Sequence, residues 1–156
     1  RSTLFPYTTL FRSTNRQAEG VAMGINVLSF GFKHGVPMDA DMVLDVRFLP
    51  NPFYIDALRD KNGEVPEVAE YIAKWPVTGE FTEKLDALLD FLLPQYVKEG
   101  KTQFVIAVGC TGGMHRSVYI ARHIFEFLGA RGWQATLEHR DLMKNAAAPM
   151  PEELQS

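Results

Sequence analysis

The twenty residues VIAVGCTGGMHRSVYIARHI, Val105 to Ile124, constrain this chain more than any other stretch. An apolar run leads into a glycine-bearing loop, Gly109 to Ser117, and an amphipathic segment follows at once. That order predicts a buried strand that turns directly into a helix. Glycines in such a loop let backbone N–H groups turn inward and approach a ligand closely. The helix start adds unpaired donors and a positive dipole end, so the segment is an anion cradle. Arg116 can grip phosphate oxygens with its guanidinium fork, Thr111 and Ser117 offer hydroxyls, and His115 offers a ring nitrogen. The nucleotide P-loop spacing G-x-x-x-x-G-K-[ST] is absent, and the loop contains no lysine.

Cys110 and Arg116, followed by Ser117, also satisfy C-x5-R, the spacing of cysteine-dependent phosphatases. There a thiolate attacks phosphorus while the arginine holds the equatorial oxygens, and N–H groups at a helix start would lower the thiol pKa. The plainer reading is a small buried cysteine at a strand end beside a non-catalytic anion site. The catalytic reading also needs an acid for the leaving group, and no residue declares itself in the sequence.

The remaining chain supplies strands at Ile25–Phe30, Met42–Phe48, Gln103–Val108 (the most apolar, hence central) and Gln134–Glu138. Helices are predicted over Glu64–Lys74, Gly79–Lys98 and Arg116–Ala130. Thr78 is the expected N-cap and Gly100 the expected stop of the middle helix, with Pro94 kinking it or splitting off its last turn. Interleaved strands and helices predict an α/β layered domain with a mostly parallel central sheet and at least one right-handed βαβ unit.

A second polar cluster follows the first strand: Lys33 and His34, then Asp39, Asp41, Asp45 and Arg47. Ligands of parallel α/β sheets sit beyond the carboxyl ends of strands. His34 and Cys110 both fall at such ends, so one pocket is expected to hold both. Lys33, Asp45 and Arg47 stand behind it, or serve as solvated loop residues and an ion pair with a neighbouring strand. Asp39 and Asp41 amount to half a metal site without a third ligand. Trp75 and Trp133 read as packing anchors, and His123 as a surface residue. His139-Arg140-Asp141 reads as a solvated strand end or a polar contact with RNA or a partner.

Composition sets the outer bounds. The 156 residues are 46% hydrophobic and 22% charged, a globular balance. Sixteen Lys and Arg against 19 Asp and Glu give a net charge of −3, so the surface as a whole is not an RNA cradle. The single cysteine excludes an internal disulfide framework and a multi-cysteine zinc site. No apolar run reaches the ~18 residues a membrane span requires, and a cytoplasmic location is expected. Residues 1–13, RSTLFPYTTLFRS, have no structural period. They resemble translated sequencing-adapter read-through and are expected to be non-native or disordered. Without Arg1 and Arg12 the basic count falls to 14 against 19 acidic residues, a balance of −5. Residues 14–24 read as a linker, 25–144 as the folded domain, and 145–156 as a disordered tail. The absence of an initiator Met suggests the back end of a longer protein.

Two long motifs, SFGFKHGVPMDADMVLDVRFLPNP and VIAVGCTGGMHRSVYIA, closely resemble the C-terminal domain of the RapZ/YvcJ family of nucleotide-binding, RNase adapter proteins. The likeness runs from about Ile25 to Lys144. It implies a non-enzymatic α/β module that binds anions and, in enterobacterial members, glucosamine-6-phosphate. In those members it also binds a small regulatory RNA, presents it to an endoribonuclease and self-associates. ATP or GTP is expected only in the N-terminal P-loop domain of the family, so no cofactor is expected in this module. By motif match the sugar-phosphate site falls on His34, Cys110, Thr111, Gly112, Gly113, His115, Arg116 and Ser117. Met114 stands where a polar or basic residue is frequent, and the tail from His139 is less basic than in the RNA-binding members. The middle stretch from Trp75 to Lys101 looks more like Gram-positive members. These departures favour sugar-phosphate binding over RNA binding.

Overall fold

The computed structural model describes residues 23–147. Expectations for the adapter-like start, for positions 14–22 of the linker and for positions 148–156 of the tail fall outside the described residues. Four strands, β1 (Gly24–Gly31), β2 (Met42–Asp45), β3 (Gln103–Cys110) and β4 (Gln134–His139), form one sheet in the order β2-β3-β1-β4. Every neighbouring pair is parallel. The helices are α1 (Pro66–Ala73), α2 (Pro76–Glu99), α3 (Arg116–Ala130) and α4 (Leu142–Ala147). The β3–α3–β4 crossover passes over β1, so the two most apolar strands lie side by side in the middle. This is the expected layered α/β domain with a parallel sheet.

Side chains alternate across a sheet. One face presents Ile25, Val27, Phe104, Ile106, Val108 and Ala135, all at most 2% exposed. They share a single core with Ile120, Ile124 and Leu128 of α3 and Leu85, Leu89 and Leu93 of α2. Tyr96 of α2 stacks on Phe104 with centroids 4.8 Å apart. On the other face Asn26, Leu28 and Val105 are only half-buried and Val43 is exposed.

Several boundaries differ from the sequence reading. Met23 and Gly24, read as linker, are buried, and Gly24 already pairs with Gln103 and Gln134. β2 stops at Asp45 because the chain turns, with Leu49 N–H donating to the Val46 carbonyl at 3.2 Å. α1 starts at Pro66, since Glu64 belongs to a turn in which its N–H donates to Asn62 Oδ1 at 2.7 Å. α2 begins at Pro76, so Thr78 is not its cap; it is buried inside the first turn, and its hydroxyl has no partner among the described residues. Pro94 neither ends nor splits α2, which remains one helix to Glu99 and closes on Gly100 in the left-handed region, φ 102°. Trp133 is a core anchor, but Trp75 is 40% exposed. His123 bridges to Asp86 of α2 at 2.9 Å rather than pointing freely to solvent. Positions 145–147, read as tail, continue α4.

Candidate functional site

The parallel register ends β1 at Gly31 opposite Cys110 of β3, so the loops leaving β1, β2 and β3 converge at one edge of the sheet. A cavity of about 500 Å³ opens there, within the range of small-molecule sites. One wall is the loop after β3, with Cys110, Thr111, Gly112, Met114, His115 and Arg116; Lys33 comes from the loop after β1. The opposite wall is the segment after β2, with Asn51, Phe53, Tyr54, Arg59 and Asp60.

Backbone contact fixes the first wall. A Cβ on Gly31 would stand 2.4 Å from the Gly112 carbonyl carbon, and one on Gly63 would stand 2.3 Å from the His115 carbonyl oxygen. Gly113 has φ 81° and packs within the same contact, so a side chain there is both strained and obstructed. Lys33 N–H donates to the Thr111 carbonyl at 3.2 Å, and Gly63 N–H donates to the Met114 carbonyl at 2.9 Å. The cradle is thereby tied to the chain on both sides.

At its floor, Cys110 Sγ lies 3.1 Å from Ser117 Oγ, and both residues are buried. Burial alone pushes the thiol pKa up. The Ser117 hydroxyl, the N–H groups of Ser117 and Gly113, and the Arg116 charge outweigh it and hold the pKa below the ordinary thiol value. Arg116 is 5% exposed. Its Nη1 donates to the carbonyls of Arg47 at 2.6 Å and Leu49 at 3.2 Å, while its Nε has no partner among the described residues. A buried guanidinium with an idle donor is costly unless something completes it. His115 Nε2 donates to the Arg59 carbonyl at 3.0 Å. Burial is the main cause that holds its pKa below the ordinary imidazole value. His115 therefore ties the two walls together as a neutral ring.

Of the residues assigned by motif, Cys110, Thr111, Gly112, His115 and Arg116 line the cavity. Gly113 and Ser117 stand behind them, Gly113 packed on β1 and Ser117 on the thiol. Lys33 reaches the cavity, whereas His34 is not among the lining residues. The 3-10 turn Phe32–His34 directs successive side chains apart, and His34 Nε2 is buried without a partner among the described residues. Asp45 and Arg47 pair with each other at 2.7 Å, not with a neighbouring strand, because β2 ends between them. Arg47 also lies over the Phe32 ring at 4.0 Å. Asp41 accepts from Val105 N–H at 2.8 Å and pairs with Lys101 at 3.1 Å, which makes it an edge-strand clamp.

Sequence reasoning missed two groups. Phe53 to Asp60 carry no motif spacing, and only the fold brings them to the cavity. Asp141 was read as part of a solvated or partner-facing strand end, but it is fully buried. Its carboxylate accepts from Gly31 N–H at 2.8 Å and pairs with Arg140 at 2.8 Å and Lys144 at 2.9 Å. Burial raises its pKa, but these partners outweigh it and leave the carboxyl far below the usual range. Arg140 in turn donates to the Gly35 carbonyl at 2.6 Å, so the pair locks the loop after β1. His139 belongs to a chain from Ser29 through its ring to Glu64 and Arg122, with Ser29 fully buried away from the cavity.

A parallel sheet whose central strand runs through a glycine-bearing loop into a helix defines a layered α/β module. The chain belongs to the RapZ C-terminal domain family, whose model matches residues 23–143. It is 53% identical over 136 residues to a nucleotide-binding protein of Caldicellulosiruptor saccharolyticus, covering 87% of this chain and 46% of that protein. It is 51% identical over 123 residues to one of Halothermothrix orenii, covering 79% and 44%. Its identity to one of Alkaliphilus oremlandii is 54% over 117 residues, covering 75% and 40%. The chain thus spans about half the length of the curated relatives it matches or less. Among the described residues no helix is long and apolar enough to cross a membrane.

Proposed function

We propose that this domain senses a phosphorylated amino sugar, with glucosamine-6-phosphate as the type ligand, and couples occupancy of the cavity to a partner. The observation that carries this reading is Arg116: a buried guanidinium, held by two backbone carbonyls, among the residues that line the cavity. An oxyanion on the cradle pairs with that charge. Lys33 adds a second positive charge, and the loop N–H groups add neutral donors. Across the cavity, Asp60 has no ion pair among the described residues and suits an ammonium group, while Phe53 and Tyr54 offer flat surface to a sugar ring. Phosphate at one end and amine at the other match this division of charge. The coupled partner is a small regulatory RNA or a protein such as an endoribonuclease, as the family resemblance implies, and self-association belongs to the same reading.

Calorimetric titration of the chain with glucosamine-6-phosphate, with glucosamine and inorganic phosphate as controls, tests the proposal. Binding of the sugar phosphate in preference to both controls is the expected result. Equal binding of inorganic phosphate would reduce the site to a general anion cradle. RNA coupling predicts an affinity that falls steeply with salt as phosphate contacts release counterions.

A further inference from the structure

His139-Arg140-Asp141 is not among the residues that line the cavity, yet each of the three holds one support of its wall. His139 Nε2–H donates to the Glu64 carboxylate at 2.7 Å, and its Nδ1 accepts from the Ser29 hydroxyl at 2.8 Å. Glu64 is gripped from α3 by Arg122 at 3.0 Å. It follows Gly63, whose N–H donates to the Met114 carbonyl at 2.9 Å. Arg140 Nη2 donates to the carbonyls of His34 at 3.3 Å and Gly35 at 2.6 Å, fixing the loop that brings Lys33 to the cavity. Asp141 accepts from Gly31 N–H at 2.8 Å, and its Cβ lies 3.2 Å from where a Cβ on Gly113 would stand.

α4 continues from the same three residues and is joined to them by Lys144, which donates to Asp141 Oδ1 at 2.9 Å. Given the sensor reading, on which this rests, we infer that His139-Arg140-Asp141 is the coupling element of the domain, through which occupancy of the cavity sets the order of α4.

The short helix is suited to report. Its six residues make fewer than two turns, too few for a helix to hold alone in water. None of Leu142, Met143 and Lys144 is buried, and Met143 is 71% exposed. The helix therefore depends on its attachment at Asp141. A ligand on residues 110–116 restrains the Gly112–Gly113 backbone, against which Gly31 is packed too closely for a Cβ to fit. Restraint of Gly31 steadies the carboxylate that its N–H holds, and a steadier Asp141 holds Lys144 longer. Linkage makes the effect reciprocal: the factor by which ligand favours ordered α4 is the factor by which ordered α4 favours ligand.

The test reads amide hydrogen exchange of the full chain over residues 142–147, with and without saturating glucosamine-6-phosphate, beside calorimetric binding. Exchange there is expected to slow by about 5-fold or more on binding, although no residue of α4 lines the cavity. Exchange over residues 80–84, on an exposed turn of α2, is expected to stay the same. Asp141→Asn is expected to abolish the slowing and to weaken the sugar phosphate several-fold. Should it fail to fold, Lys144→Gln detaches α4 at a half-exposed side chain and leaves the buried carboxylate in place. Binding with unchanged exchange over 142–147 overturns the inference and leaves the sensor reading standing. Slowing that is uniform along the chain would be general stabilisation by mass action, and overturns it equally. So would a folded Lys144→Gln protein whose α4 still responds as in the wild type. Absence of binding would remove both readings.

Discussion

The two walls of the cavity are held in different ways. Residues 110–117 are fixed by backbone: glycine-to-backbone contacts at Gly31 and Gly63, a left-handed Gly113, and carbonyls that grip Arg116 and His115. Residues 51–60 are anchored by buried Pro52 and Leu58 and by the Arg59 carbonyl, but most of their side chains are exposed and held by local contacts, such as Arg59 on the Phe53 carbonyl and on Asp56. Backbone packing leaves little room for adjustment, since interiors transmit a clash rather than absorb it. Exposed polar contacts yield at small cost. The β3 wall is therefore suited to the constant part of a ligand, an oxyanion. The β2 wall is suited to the part that distinguishes one ligand from another.

The largest expected effect comes from Arg116→Ala. It removes the clamp and also strands the Arg47 and Leu49 carbonyls, so phosphate-ester binding is lost and stability falls by about 1–3 kcal/mol in denaturant titration. Arg116→Lys keeps the charge without the fork and separates the two losses. Gly31→Ala comes next. Its Cβ must displace the Gly112 backbone, which costs about 1–3 kcal/mol and opens the cradle. Gly79→Ala is the matched control: no atom lies within 4 Å of its Cβ and it sits within α2, so it is expected to stabilise by about 0.5–1 kcal/mol.

Asp141→Asn loosens the same wall from behind by weakening the support of Gly31 N–H, Arg140 and Lys144. The Asp141 carboxyl is depressed in the folded chain, so its contribution is complete above the ordinary carboxylate pKa and declines as pH falls below it. Melting curves of wild type and Asp141→Asn are expected to differ most at neutral pH and to converge in acid. A constant gap would mean that the carboxylate charge is not what matters. On the other wall, Phe53→Ala is expected to weaken the sugar phosphate several-fold and inorganic phosphate not at all, with unchanged stability. Equal weakening of both would contradict the division between the walls. The smallest effect belongs to Asp45→Asn, which breaks an exposed pair worth roughly 0–1 kcal/mol.

The strand–cradle–helix unit is legible from the chain alone. Apolar run, glycines, arginine and helix are contiguous from Val105 to Ala130, and each acts on its neighbours along the chain. For the same reason the parallel α/β class was legible, and so were the C-x5-R spacing and the family. Tertiary structure decided what faces that unit. His34 and Lys33 are adjacent in sequence, and only the turn after β1 sends Lys33 to the cavity and leaves His34 off its wall. Asp141 is polar and follows a strand, which reads as solvent. Its burial depends on pairing with Gly31, 110 residues away. Asp60 carries no local signal at all, and only the fold brings it to the cavity that Cys110 also lines. Local pattern records interactions between residues near in the chain. The opposite wall and the buried brace are set by contacts between distant segments, which no local spacing encodes.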